Sequence, residues 1–268
     1  DQMQALEKHL EDPHPAVRAA AALLFGEIPP LHPQIERLLD DDSRLVRIIT
    51  ANALQAGLPD EHPALQEVVA YNRFNADQPR GAVRLAQMHH SRGKPEDAIL
   101  LLEKVVEWSP LATPSRLDLA FALNAAGRSE DAIAQFIKTA EIATSDPTPF
   151  FFAALAAGEQ QQPDRAIEFL LKAVERDPAY ARAWYNLALL HRNKGELRPA
   201  LYAMEQACLA EPANLDFRYA MATLQYSAGD LDAAEASARS ILQSAPDNPN
   251  ARQLIQVIQS VRQQKQEP

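Results

Sequence analysis

A single cysteine, Cys208, stands in a chain of 268 residues. It has no partner for an internal disulfide, and no cysteines occur at zinc-binding or haem-attachment spacing. Within a helical pattern it reads as a small apolar residue. Glycine is also sparse, at 8 residues. Gly26 and Gly57 follow apolar stretches, four others recur at one interval, and only Gly81 and Gly158 remain, so no glycine-rich loop is left to cradle a phosphate or dinucleotide. No apolar run is long enough to span a bilayer, and membrane insertion is not expected. Cationic surplus is missing too: 26 Lys and Arg against 36 Asp and Glu leave a net charge of −10, which argues against nucleic-acid binding. Neither Gly-x-Ser-x-Gly nor His-Glu-x-x-His occurs. The acidic pairs Glu96-Asp97 and Glu130-Asp131 fall just inside helix starts, where they complement the helix dipole. His89 and His90 are adjacent, so on a helix they point about 100° apart and suit one ion poorly. His14, His32 and His62 each precede proline at a helix start, a capping position, and His191 falls where two helices pack. No catalytic residue, metal or cofactor is expected.

What the chain does have is a strict interval. Ala98, Ala132, Ala166, Ala200 and Ala234 follow one another at 34 residues. Glycine keeps this register at Gly93, Gly127, Gly195 and Gly229, with Gln161 in the missing slot. Proline keeps it at Pro110, Pro178, Pro212 and Pro246, with Thr144 in its missing slot. A period of this length marks helical pairs that bury their apolar faces only by stacking. Glycine can take a left-handed conformation where the first helix stops, and proline ends the second helix and starts the link. First helices are predicted near 80–91, 114–126, 148–160, 182–193 and 216–228, with partner helices starting at Pro95, Ser129, Pro163, Leu197 and Leu231. The five alanines should be buried at close helix crossings.

Residues 1–74 follow another register. Asp12-Pro13-His14-Pro15-Ala16-Val17-Arg18 is echoed by Asp41-Asp42-Ser43-Arg44-Leu45-Val46-Arg47, with Val-Arg repeating after 29 residues. Aspartate can cap each helix start, valine can pack inward, and arginine can reach an acidic group on the neighbouring unit. Residues 65–74 read as a further amphipathic helix. The junction Asn75-Ala76-Asp77-Gln78-Pro79 lacks glycine and serine and is no longer than an inter-repeat turn, so it should not be a flexible linker. One continuous curved rod is expected. Past residue 248, Leu254, Val257, Ile258 and Val261 share a face, predicting a capping helix with a frayed tail over 249–268. At the other end Met3, Leu6 and Leu10 form a stripe on a helix that starts at once with no such cap, and the first residue is aspartate. The chain is therefore expected to be the C-terminal part of something longer.

The 34-residue unit, over 75–248, resembles the tetratricopeptide repeat (TPR) family, and the Asp-initiated Val-Arg helices over 1–74 look like short HEAT-like repeats. The resemblance implies an all-α, right-handed helical-repeat superhelix that serves as a protein-interaction scaffold and is no enzyme. In TPR proteins the first helices line the inner, concave surface. The register assigns to it Arg84 and Gln87, then Phe121 and Asn124 beside Asp118, then Phe151 and Leu155 beside Phe152. Arg182, Tyr185, Asn186 and Arg192 follow in the fourth unit, and Tyr219 and Tyr226 in the fifth. Six rings thus fall on this surface in a chain that is only 6% aromatic, which implies a groove with apolar anchors for an extended or helical peptide. Phe121, Phe151 and Tyr185 are expected to form one stripe, and the flanking Arg84 and Arg182 to favour acidic residues in the ligand. The other role open to Phe152 and Tyr185 is packing between adjacent first helices. The chaperone-binding TPR subclass holds a C-terminal carboxylate with cations and asparagine. Its slots here carry Val83, Gln87, Asp118, Thr148 and Phe152, so that ligand is not expected.

A second reading concerns context. HEAT-like units running into TPR units through the junction at 72–79 are similar to the C-terminal region of certain bacterial multihaem c-type cytochromes. That resemblance implies an accessory solenoid in an extracytoplasmic electron-transfer assembly, with the haems upstream; otherwise a cytoplasmic scaffold is implied. In either case the expected partner is a protein or peptide, including an upstream segment of the same parent chain.

Overall fold

Proline placement starts most of the helices. The structure, a computed structural model, describes residues 6–264, which contain fifteen α-helices and no strand. Met3 of the first stripe, and the tail from 265 on, lie outside the described residues. The chain divides into two compact units, Asp1–Arg128 and Ser129–Pro268.

In the first unit come α1 (Pro15–Gly26), a short α2 (His32–Ile35), α3 (Arg44–Leu54), α4 (Pro63–Phe74), α5 (Pro79–Ser91), α6 (Pro95–Trp108) and α7 (Thr113–Ala125). Proline opens α1, α4, α5 and α6, where its missing N–H leaves no helical bond unmade. His14 and His62 cap α1 and α4: each Nδ1 accepts a backbone N–H, from Ala16 at 3.3 Å and Ala64 at 3.2 Å. His32 does otherwise. It lies inside α2, and its Nε2 meets the Gly26 carbonyl at 3.0 Å. The segment around α2, with the 3-10 turns Pro29–Leu31 and Glu36–Asp40, carries no period and was not expected from the sequence.

The Val-Arg echo makes a ladder. Val46 is fully buried and Val17 half-buried. Arg18 grips Asp41 with two bonds of 2.7 Å, and Arg47 grips Glu67 at 2.7 and 2.8 Å, so each arginine reaches the next acidic group as the echo implies. Hydrogen bonding from Arg18 holds the Asp41 carboxyl below the usual carboxylate range, and Arg47 does the same to Glu67. One apolar core then runs from Leu10 and Phe25 through Val46 and Val68 to Leu85 and Met88 of α5, straight across the junction at 74–75. The start of α5 is pressed onto that junction: a Cβ on Gly81 would lie 1.8 Å from the Asn75 carbonyl oxygen. Only glycine fits there.

The second unit contains α8 (Ser129–Ile142), α9 (Thr148–Glu159), α10 (Pro163–Arg176), α11 (Ala181–Asn193), α12 (Leu197–Ala210), α13 (Leu215–Ser227), α14 (Leu231–Ser244) and α15 (Pro249–Gln264). Ala132, Ala166, Ala200 and Ala234 are buried, as is Ala98 in the first unit, in agreement with the register. Gly93, Gly127, Gly195 and Gly229 all have positive φ, and Gln161 takes the same left-handed turn at φ 57°. Leu254 and Ile258 of α15 are buried with Ala222, Ala234 and Ala238.

Candidate functional site

Side chains that close loops must be separated first from those that could meet a ligand. Six residues into many units, a long donor on the incoming helix folds back onto the preceding loop. Arg18 donates to the Asp12 carbonyl at 2.8 Å, Arg47 to Asp41 at 2.7 Å and Gln66 to Asp60 at 2.5 Å. Arg116 donates to the Pro110 carbonyl at 2.7 Å, Trp184 Nε1 to Pro178 at 2.8 Å and Arg252 to Pro246 at 2.7 Å. These residues are structural. The sequence carried a signal for them that the register reading did not use, since Arg116, Trp184 and Arg252 each follow a register proline by six.

In the second unit the expected ring stripe is largely packing. Phe151 is 1% exposed, which corrects its assignment to the groove. The cause is the run Phe150-Phe151-Phe152 on α9, whose members point about 100° apart and cannot share a face. Phe150 lies under the Arg176 guanidinium at 4.3 Å, and Phe152 stacks on Phe136 of α8 at 5.8 Å. Phe151 meets the Tyr180 ring edge-on at 5.3 Å and is covered by Arg182 at 5.1 Å. Tyr185 stacks on Phe217 at 5.0 Å between neighbouring first helices, so of its two open roles it takes the packing one. Tyr219 and Tyr226 are half-buried against the C-terminal core cluster. What remains open on these first helices is Leu155, 37% exposed, with the exposed Arg182 and Arg192. Asn186 is turned back, its Nδ2 donating to the Arg182 carbonyl at 2.8 Å.

In the first unit the face formed by α5 and α7 keeps its recesses. One, of about 350 Å³, is lined among others by Arg80, Val83, Arg84 and Ser115. A second, of about 190 Å³, lies further along α5 and is lined by Ala86, Gln87, His90, Leu102, Asp118 and Phe121. Phe121 is 36% exposed at its wall, and Asn124, one turn on, is half-buried. Gln87 Nε2 donates to Asp118 Oδ2 at 3.2 Å. Burial pushes the Asp118 carboxyl above its ordinary value, which the Gln87 bond and His90 only partly counter. The 34-residue register puts Asp118 on this face, where the sequence shows its charge but not its burial.

Other candidate chemistries find little geometry. Among the described residues no three His, Cys, Asp or Glu side chains are grouped to hold a metal ion, and no helix is long and apolar enough to cross a membrane. Cys208 is half-buried on α12, and burial raises its thiol pKa, which disfavours the reactive thiolate. His191 is half-buried and paired through Nδ1 with Glu196 Oε2 at 2.6 Å, in keeping with a position between packed helices.

A tetratricopeptide repeat profile matches residues 89–148 and 194–258, and a second of the same description matches 153–208. A HEAT repeat profile matches residues 3–28. No curated protein sequence matches the chain. Among solved structures, MamA from Desulfovibrio magneticus RS-1 is 20% identical with a TM-score of 0.52, covering 64% of this chain and 98% of its own. YrrB, described as a TPR protein with an unusual peptide-binding site, is 17% identical with a TM-score of 0.52, over 70% of this chain and 96% of its own. PilF from Pseudomonas aeruginosa is 19% identical with a TM-score of 0.53, over 72% of this chain and 87% of its own. At these identities the likeness is one of fold.

Proposed function

Because the chain belongs to the tetratricopeptide repeat family, we propose that it is a non-catalytic scaffold whose first-helix face receives a peptide segment of a partner protein. The observation that carries this reading is the α5–α7 face, where two recesses lie along α5 and the partly exposed ring of Phe121 forms part of the wall of one. An aromatic ring partly exposed beside a largely apolar recess is the kind of anchor that dominates interface energy. A receptor of packed helices also binds without first having to order itself. Leu155, Arg182 and Arg192 offer a second, more cationic stretch on the first helices of the other unit. The YrrB description places peptide binding on another protein of this fold, which agrees with the reading without assigning a ligand here.

The test is selection from a random dodecapeptide library on the whole chain, followed by affinity measurement on Phe121→Ala. The reading expects selected peptides to lose about 2 kcal/mol or more of binding free energy with Phe121→Ala. Peptides that bind the variant as tightly as the original chain would overturn it.

A further inference from the structure

The two recesses on the α5–α7 face differ in charge, and neither Asp118 nor the two arginines, Arg80 and Arg84, form an ion pair among the described residues. Asp118 accepts one hydrogen bond, from Gln87 at 3.2 Å, and forms no ion pair among the described residues. Its neighbours in the recess are the apolar walls of Ala86, Leu102 and Phe121 together with His90. A carboxylate drawn from water with no cation beside it is unfavourable, and a ligand cation that reaches it recovers part of that cost. The Asp118 carboxyl is displaced upward by burial, as that unfavourable state requires. About one and a half turns earlier on α5, Arg80 and Arg84 are exposed at the rim of the other recess and likewise form no ion pair among the described residues. Shape adds a constraint. A recess of about 190 Å³ with one ring for a wall suits an aliphatic stem ending in a charge, since lysine and arginine lay their methylenes on apolar surface and keep the head group polar.

We propose that the α5–α7 face takes an extended peptide in which a lysine or arginine enters the Asp118 recess and a nearby acidic residue meets Arg80 and Arg84. This rests on the peptide-binding reading above and names the chemistry of its ligand. From Arg84 to Gln87 and His90 the helix advances about 1.5 Å per residue, roughly 5–9 Å in all, and an extended chain covers that in roughly two to three residues. The ligand is thus a segment with opposite charges two or three positions apart, its basic residue flanked by an apolar one that can lie against Phe121. It differs from a peptide that is acidic throughout, which Asp118 would repel.

The experiment uses the dodecapeptides selected on the whole chain, measured against the original protein, Asp118→Asn, Arg84→Gln and Phe121→Ala. Asp118→Asn keeps the size of the side chain and an oxygen for Gln87, and removes a desolvated charge, so it should melt no lower than the original chain. The selected peptides should carry a basic residue, and Asp118→Asn should weaken them by about tenfold or more, as truncating one member of a buried charge pair does. Replacing that basic residue by norleucine should weaken binding to the original chain by a similar factor and leave binding to Asp118→Asn unchanged. Arg84→Gln should act on peptides with the acidic residue and spare those without it. Peptides that lack a basic residue, or that bind equally well as norleucine variants, overturn this inference; if Phe121→Ala still weakens them, the groove itself stands. Binding indifferent to Phe121→Ala, or no peptide selected at all, removes the groove and the inference together.

Discussion

Gln161 holds a backbone conformation that the other four turns give to glycine, at φ 57° against 69° to 82°. A left-handed residue with a Cβ costs about 1–2 kcal/mol, only partly offset by the extra entropy glycine loses on folding. Gln161→Gly should therefore raise stability by about 0.5–1 kcal/mol, read as a later urea midpoint with unchanged slope. An earlier midpoint would mean that contacts of the glutamine outweigh the strain. The register alanines give the opposite case. Ala166 is buried where two helices cross, and Ala166→Leu should overpack the crossing and cost about 1–3 kcal/mol; an unchanged melting midpoint would contradict that placement. Phe151→Ala belongs with stability as well, at a cost of about 3–5 kcal/mol, with peptide binding by the folded variant left intact. The alanines were legible because five copies of one position report one environment. The rings were not, because neighbouring helical residues diverge by about 100° and a register cannot say which of three adjacent phenylalanines faces out. Asp118 shows a further limit: its type and face were readable, and its desolvation was not.

Helix starts were the most legible elements. The five partner helices begin at Pro95, Ser129, Pro163, Leu197 and Leu231, where the repeat register puts them, because proline, serine and the preceding turn chemistry mark the spot. Residues 29–40 were not legible, since two 3-10 turns around a four-residue helix leave no apolar period to find. Between elements, the donors that fold back six residues bind six of the helices to their incoming loops. Trp184→Phe removes the bond to the Pro178 carbonyl and part of the ring that meets Tyr202 edge-on at 5.9 Å, so it should cost at least about 0.5–1.5 kcal/mol in denaturant melts. The arginine ladder of α1, α3 and α4 makes the first unit sensitive to acid. Asp41 and Glu67 have carboxyl pKa values lowered by Arg18 and Arg47, so their stabilisation is complete above the unfolded carboxylate range near ~4 and is lost as pH falls through the lower folded values. The variant Asp41→Asn with Glu67→Gln should be less stable at neutral pH and show a shallower loss between about pH 5 and 2. An acid limb as steep as that of the original chain would show that other carboxylates set it.

For the molecule as a whole, stability should be spread over neighbouring repeats, with no single dominant core. The helix α15 illustrates this: its Leu254 and Ile258 cover Ala234 and Ala238, and Arg262 bonds Asp232 at 2.5 Å and also Glu235. Deleting residues 249–268 should speed amide exchange in α13 and α14 well before α8 and α9, and exchange that rises equally throughout the second unit would contradict nearest-neighbour stacking. The same architecture exposes two kinds of face, and the functional account chooses between them. First helices carry Phe121 and Leu155, while second helices expose Leu100 at 63% and Tyr202 at 57%, so apolar exposure alone does not decide which face binds. The most direct measurement places a photoreactive benzoylphenylalanine at each of these four positions in turn, in the cells that make the protein, and maps the adducts by mass spectrometry. Adducts to one partner segment at position 121, strengthened by those at 155 and absent at 100 and 202, are the result predicted here; a partner captured from 100 or 202, with 121 silent, would contradict it.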